Sequence, residues 1–507
     1  MVAKVFTSSL FGIDGIRVEV EVDISHGLPS FSIVGLPELS VKESRERVRA
    51  AIKNVGFEFP NDRITINLAP ADVRKEGASF DLPVALGLLV AMGVIRQEAM
   101  EGHLITGELS LDGRIKGTRG VLPMAVLAAR EGFSRMIVPA ENGREAAVVQ
   151  GVEVYGATHL LDLVHYLLGD GTLQRFYASD EAEGGSPARE DGLDFSDIKG
   201  QAQAKRALEI AAAGGHNLPP GSGKTMLARR LPTILPPLTY AESIETTKIH
   251  SIAGLLSEER YLVTEKPFRA PHHTVSDAGL IGGGSLPRPG EISLAHNGVL
   301  FLDEFPEFKR NILDSLRQPL ESGNVVISRV SQAVTFPASF MLVAAMNPCP
   351  CGYYGDPRRP CVCSGGQIHR YRSRVSGPLL DRIDLQIGVP PVTIRELSME
   401  TDEEPSEAIR KRVIAARMRQ TERFGGRQVH ANGQMTTRMV KKYCGVNAYA
   451  KALLEQAVEK FALSARAYYR ILKVARTIAD LDGKAEMDEA HVAEAVQYRV
   501  LDKKMAF

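Results

Sequence analysis

Pro219-Pro220-Gly221-Ser222-Gly223-Lys224-Thr225, running on into Met226-Leu227-Ala228-Arg229-Arg230, is the stretch around which the chain is organised. It reads as the second half of a phosphate-binding loop that opens a helix. Gly221, Ser222 and Gly223 let backbone N–H groups curl around an anion. Lys224 would reach the β- and γ-phosphates of ATP, and the Thr225 hydroxyl would ligate Mg²⁺. The first glycine of the full pattern G-x-x-x-x-G-K-[ST] is replaced by Leu218. The residues before it, Ala213 to Asn217, contain no apolar run, so the buried strand that should feed the loop is missing from the pattern.

Two later stretches supply what such a loop needs. Gly298-Val299-Leu300-Phe301-Leu302-Asp303-Glu304 is an apolar run ending in two acids. A buried parallel strand delivers both carboxylates to its C-terminal end, where ligand sites of α/β folds lie. Asp303 would hold Mg²⁺ through water, and Glu304 would polarise the attacking water. Met341 to Met346 is a second apolar strand ending in Asn347-Pro348. The amide of Asn347 would orient the water and sense the γ-phosphate, the alternative being an Asn-Pro turn. Arg382, in Ser376-Gly377-Pro378-Leu379-Leu380-Asp381-Arg382-Ile383-Asp384, suits an arginine finger donated in trans, which requires a ring. A surface salt bridge to Asp381 or Asp384 is the competing reading.

At 507 residues the chain exceeds one core. Its hydrophobic content of 44%, charged content of 24% and zero net charge describe a globular protein. Any nucleic-acid contact must then come from local patches. The sequence shows no signal peptide and no apolar run long enough to span a membrane, so a cytoplasmic location is expected. Four of the 5 cysteines are crowded as Cys349-x-Cys351 and Cys361-x-Cys363 around a Gly/Pro-rich loop. That set suits a structural Zn²⁺; four free thiols or an iron–sulfur cluster are the alternatives.

The organisation expected is multidomain α/β. An α+β domain spans 1–175, a polar linker 176–194, a parallel-sheet nucleotide-binding core 195–395 and an all-helical lid 396–507. Arg466 opens a lid helix, where a second sensor arginine would reach the γ-phosphate; Arg470 is the fallback, and a solvated helix arginine is the alternative. In the first domain, TGELSLDGRI (Thr106–Ile115), GVLPMAVLAAREGF (Gly120–Phe133) and MIVPAEN (Met136–Asn142) resemble the proteolytic domain of Lon proteases. Ser79 falls at that family's nucleophile position. The position of the family's lysine base is Leu122, so the resemblance implies a Lon-like domain without catalysis.

The core resembles the AAA+ class that includes the magnesium-chelatase ATPase subunit and minichromosome-maintenance helicases. The match narrows on DFSDIKGQAQAKRALEIAAAGGHN (Asp194–Asn217), FRAPHHTVSDAGLIGGG (Phe268–Gly284), PRPGEISLAHNGVLFLDE (Pro287–Glu304), AAMNPCPCGYYGD (Ala344–Asp356) and SGPLLDRIDL (Ser376–Leu385). On these strings the chain is similar to the ComM/YifB family of magnesium-chelatase-like ATPases. The resemblance implies a hexameric homo-oligomeric ring that moves branched or single-stranded DNA. More narrowly, it implies a branch-migration helicase acting in recombination during natural transformation. In related ATPases, the insertion carrying Arg269, His272 and His273 faces the pore. Val325 to Gln332 followed by Ala333 to Phe336 reads as a β-hairpin just before the Asn347 strand. Related helicases track DNA with a hairpin at that place, where Arg329 would contact phosphate, a solvated hairpin arginine being the alternative. The departure is the apolar strand lost before Pro219. A magnesium-chelatase-like protein-remodelling ATPase, or a ring whose ATPase is impaired, are the other expectations.

Overall fold

The computed structural model describes residues 2–178, 192–218, 225–284, 287–328, 333–356, 359–388, 403–425 and 429–499. Gly221, Ser222, Gly223, Lys224 and Arg329 lie outside the described residues. The chain forms two units. One comprises Met1–Gly185 and Tyr240–Thr264, the other Ser186–Thr239 and Glu265–Phe507.

The first unit is built on an eight-stranded mixed sheet. Its strands run in the order Gln174–Phe176, Glu153–Ala157, Arg135–Pro139, His103–Ile105, Ala3–Phe11, Asp14–Ser25, Arg63–Ala69, Ser30–Val34. Period-two patterning places Val18, Val20 and Val22 on a buried face. The helix Asp81–Ala91 lies on the two longest strands. Gly87 makes that approach possible, since a Cβ there would stand 2.7 Å from Val22 Cγ2. Two helices, Leu39–Lys42 and Ser44–Asn54, meet at Glu43.

Ser79 precedes the Asp81–Ala91 helix, whose N-cap residue is Phe80. The Ser79 carbonyl accepts from Gly107 N at 3.1 Å. Leu122 is fully buried, and its N–H donates to Glu145 Oε1 at 3.0 Å. The buried Lys75 gives its ammonium to the Pro70 carbonyl.

The stretch 240–264, expected within the nucleotide-binding core, packs in this first unit. Its helix Tyr240–Ala253 lies against the helix Val121–Arg130. Ile244, Tyr261 and Leu262 cover a core containing Leu104, Leu122 and Met136. Ser251 Oγ donates to the buried Glu145 at 2.5 Å, Tyr240 donates to the Val148 carbonyl at 3.0 Å, and Lys248 pairs with Asp14 at 2.9 Å. Burial pushes the Glu145 carboxyl above its ordinary range, opposed by the Ser251 hydroxyl, the Leu122 N–H and the Asn142 amide.

In the second unit a parallel sheet joins Phe268–Arg269, Val299–Leu302 and Met341–Ala344. The last two strands are buried at every position, as a sheet covered on both faces requires. The hairpin Asn324–Ser328 with Ala333–Pro337 precedes the third strand. The C-terminal helices are Ser406–Phe424, Thr437–Tyr443, Ala448–Phe461, Ala465–Leu481 and Glu489–Gln497. They share one core with the helix Ala202–Gly214: Ala207, Leu208 and Ala211 cluster with Val413, Ile471, Val474 and Val492. Arg412 with Glu209 at 2.6 Å, and Gln420 Nε2 donating to the Ala213 carbonyl at 3.0 Å, pin the same surfaces.

Candidate nucleotide-binding site

The strand absent from the sequence pattern survives as a stub. Leu218 bridges in parallel to Val343: its N–H donates to the Leu342 carbonyl at 2.8 Å, and its own carbonyl accepts from Ala344 N at 3.0 Å. Leu218 is buried, which contributes about 1.5–3 kcal/mol. Side chains do what a longer ladder would have done. Asn217 Oδ1 accepts from Leu342 N at 2.8 Å, and Asn217 Nδ2 reaches the Arg382 carbonyl at 3.3 Å. On the other side the Asn217 carbonyl accepts from Asp384 N and Leu385 N at 3.0 and 3.1 Å, while Asp384 Oδ2 accepts from Asn217 N at 2.8 Å. The root of the loop thus lies between Met341–Ala344 and the segment at 384–385.

Asp384 is buried and bonded to Arg470. Burial alone would push its carboxyl up; the Arg470 guanidinium and nearby cations overcome that and hold it below the usual range. His216, fully buried beside it, is pushed down to about 4 by burial, so it stays neutral at pH 7, with Nε2 2.8 Å from Thr477 Oγ1. Arg470 therefore serves the root of the loop.

Thr225 begins the helix Thr225–Ile234. Its hydroxyl donates to Asp303 Oδ2 at 2.6 Å. This contact joins the end of the loop to the acid that follows the Val299–Leu302 strand, at the C-terminal edge of the parallel sheet. Glu304 has φ of 51°, a left-handed conformation uncommon outside glycine, and its N–H donates to Asp303 Oδ1 at 2.9 Å. Phe305 N bonds the Ala345 carbonyl, and Ala345 N bonds the Leu302 carbonyl, both at 2.8 Å. These bonds bring the exit toward the exposed Asn347 to the same edge. His273 Nδ1 lies 2.9 Å from Glu304 Oε2, and its ring packs against His272 with centroids 4.1 Å apart and planes tilted by 35°. The sequence reading did not anticipate that His273 contacts the acidic pair.

The other arginines are occupied. Arg382 is buried: Nη2 contacts Glu321 Oε1 at 2.5 Å and Nη1 donates to the Pro378 carbonyl at 2.5 Å. Its partner is thus neither Asp381 nor Asp384. The exposed Arg466 is 3.7 Å from the same Glu321 carboxylate. Arg269 forms a bidentate pair with Glu291 at 2.6 and 2.7 Å, which raises its already high pKa.

The sulfurs of Cys349, Cys351, Cys361 and Cys363 all lie within 4.8 Å of one another. Three of the separations are 3.4, 3.6 and 3.6 Å. A tetrahedral site with Zn–S of about 2.3 Å has S···S separations of about 3.8 Å, so the donor set and its spacing fit zinc. The N–H groups of Tyr353 and Val362 lower the Cys351 thiol to about 6, supplying a ready thiolate. Arg372 Nε donates to the Pro348 carbonyl at 3.1 Å and its guanidinium covers Tyr354, which fastens the cysteine loop beside Asn347. Cys444 is buried, its thiol pushed up to about 12.

Comparison with known proteins fits this geometry. The magnesium chelatase subunit ChlI family matches residues 194–397, its C-terminal family residues 403–499, and a further ChlI family residues 20–142. Competence protein ComM of Haemophilus influenzae is 45% identical over 98% of this chain and 97% of its own length. The chain belongs to the ComM/YifB family. YifB of Salmonella typhimurium is 44% identical over 99% of the chain and 97% of its own length. The magnesium-chelatase 67 kDa subunit of Chlorobaculum parvum is 29% identical over 30% of the chain and 23% of its own length. ComM/YifB proteins are magnesium-chelatase-like members of the AAA+ class of ATPases. Among the described residues, no helix is long and apolar enough to cross a membrane.

Proposed function

We propose that this chain is a ring-forming, ATP-driven motor acting on DNA, working by branch migration in a competence-related role. The observation that carries the ATPase part is the 2.6 Å contact of Thr225 Oγ1 with Asp303 at the sheet edge, with Glu304 next in sequence. Mg²⁺ would neutralise charge on the β- and γ-phosphates when bound, and Thr225 and Asp303 would hold it. Lys224 would reach the same phosphates. Glu304 would orient the attacking water once His273 releases it, and Asn347 would complete that arrangement. Arg382 would reach a neighbour's nucleotide in a hexameric ring only after leaving Glu321; Arg466 shares that carboxylate and would be released with it.

The DNA reading draws support from the likeness to a protein named for competence. Arg329, and Arg269 once freed from Glu291, would contact phosphates. The first unit we read as a Lon-like domain lacking catalysis, with Leu122 at the site of the base. Cys349, Cys351, Cys361 and Cys363 would hold a structural Zn²⁺ that fixes the loop after Asn347, and the protein would work in the cytoplasm. ATP hydrolysis measured with and without a branched DNA, beside Lys224→Ala, tests the proposal. Junction-stimulated turnover that the variant lacks is the expected result. Turnover indifferent to DNA but stimulated by a protein partner would favour the remodelling ATPase suggested by the chelatase match. Turnover no higher than in the variant would mean that the stub at Leu218 cannot support the loop.

A further inference from the structure

Just past the acidic pair the chain forms an open cavity of about 480 Å³ whose lining includes Lys309, Arg310, Arg370 and Arg374 against one carboxylate, Glu307. In a chain of zero net charge this is a marked local excess of cations. The apolar wall is built from the buried Pro306 and Phe308. One cation is already committed: Arg374 Nη1 donates to Glu307 Oε2 at 2.6 Å and to the Pro306 carbonyl at 3.2 Å. That bond neutralises the only acid of the lining and joins its two halves. Arg310 stands 3.9 Å from Asp314, which gives its closer contact, 2.6 Å, to Arg317. Lys309 and Arg370 are exposed, and neither side chain has an ion-pair or hydrogen-bond partner among the described residues.

We propose that this cavity is a phosphate-binding site, with Lys309 and Arg370 as its free donors and Arg310 as a third. An ammonium and a planar guanidinium facing one cavity suit the oxygens of a phosphate group. Two sources share that chemistry: the phosphodiester backbone of a nucleic acid and the polyphosphate of a nucleotide. The first rests on the DNA reading above; the second does not. The cavity begins at Pro306, two residues beyond Glu304, and Phe308 in its wall meets His273 edge-on at 6.4 Å between centroids, while His273 contacts Glu304 at 2.9 Å. A ligand here therefore lies two packed rings, Phe308 and His273, away from the group that would orient water.

The test compares the full chain with Lys309→Glu/Arg370→Glu and with Lys411→Glu, an exposed control whose lysine pairs with Glu407 at 2.7 Å. Circular dichroism and thermal melting establish that all three fold alike, as changes at exposed positions should allow. One arm measures anisotropy of a labelled single-stranded oligonucleotide across salt; the other measures fluorescence of a labelled ATP analogue. The double variant should lose at least about tenfold affinity in one arm, with the control unchanged. If the oligonucleotide is the ligand, removing two contacts should also flatten the salt slope by about 1.4. Wild-type affinity of the double variant in both arms overturns the proposal. Failure of the wild type to bind the oligonucleotide sinks the DNA reading alone, while the nucleotide arm still decides the cavity.

Discussion

Replacing Arg470 by methionine keeps most of the stem and removes the charge that balances Asp384. The carboxylate is buried and also accepts the Asn217 N–H at 2.8 Å, so it cannot turn outward without releasing the stub. Breaking a buried pair from one side costs about 3–5 kcal/mol. Protonating the carboxyl sets a ceiling: from an unfolded pKa near 3.9, about three units at 1.36 kcal/mol each give roughly 4 kcal/mol at pH 7. The expected loss for Arg470→Met is therefore about 3–4 kcal/mol at pH 7. The sign of its pH dependence follows. In the native chain Asp384 is depressed, so its contribution is present above the unfolded pKa and is lost only as pH falls through the lower, folded value. In the variant burial is opposed only by the weaker pull of Lys473 and the Asn217 N–H, so the carboxyl rises and the folded state holds a proton that the unfolded state lacks. The penalty should then shrink by about 1.4 kcal/mol per pH unit between pH 7 and pH 5. Urea denaturation of both proteins at the two pH values measures it. Adding Asp384→Asn to the variant should recover part of the loss. A penalty below about 1 kcal/mol, or one that does not change with pH, would refute the clamp. Lost turnover at unchanged stability would reassign Arg470 to the nucleotide.

Other consequences are direct. Glu304→Gln should keep nucleotide affinity and lower turnover by at least about a hundredfold, as expected if this carboxylate orients water; equal turnover would dismiss that role. His216, pushed down to about 4 from an unfolded value near 6.5, binds its proton more weakly when folded. The second unit should therefore lose roughly 3 kcal/mol as pH falls from 6.5 to 4, and His216→Gln should remove much of that dependence in pH-resolved melts. Cys361→Ser should release the bound zinc expected at one equivalent per chain, read by elemental analysis, and lower the melting temperature; a metal-free wild type would end that assignment.

The parts of the fold written locally were legible. The run Val299–Leu302 announces a strand buried on both faces, and the helices Ser406–Phe424, Ala448–Phe461 and Ala465–Leu481 follow from apolar spacing. The four cysteines were legible because their spacing is short. What escaped depends on partners far apart in sequence. Asn217 looks like a loop residue until Leu342 and Asp384 stand on either side of it. Arg382 sits between Asp381 and Asp384, yet its carboxylate is Glu321, a helix away. His273 gives no sign of Glu304, and the stretch 240–264 reads as core although its apolar side chains cover Leu104 and Leu122. Hydrogen bonds and packing of that range carry no periodicity.

The placement of residues 240–264 makes the first unit a discontinuous one, sewn in twice. The chain leaves the second unit after Thr239 and returns to it at Glu265, in addition to the earlier junction at Gly185–Ser186. Three covalent crossings therefore join the two bodies. A protease cutting anywhere in 179–191 would produce two fragments that still hold together, because the downstream piece carries Ile244, Tyr261, Leu262 and Ser251, which pack or bond with the upstream piece. A gene truncated at the same point would yield a fragment that has lost its own covering, with the Glu145 carboxylate deprived of a donor and an apolar face opened to water. Excising this unit requires carrying the insert along as a spliced segment.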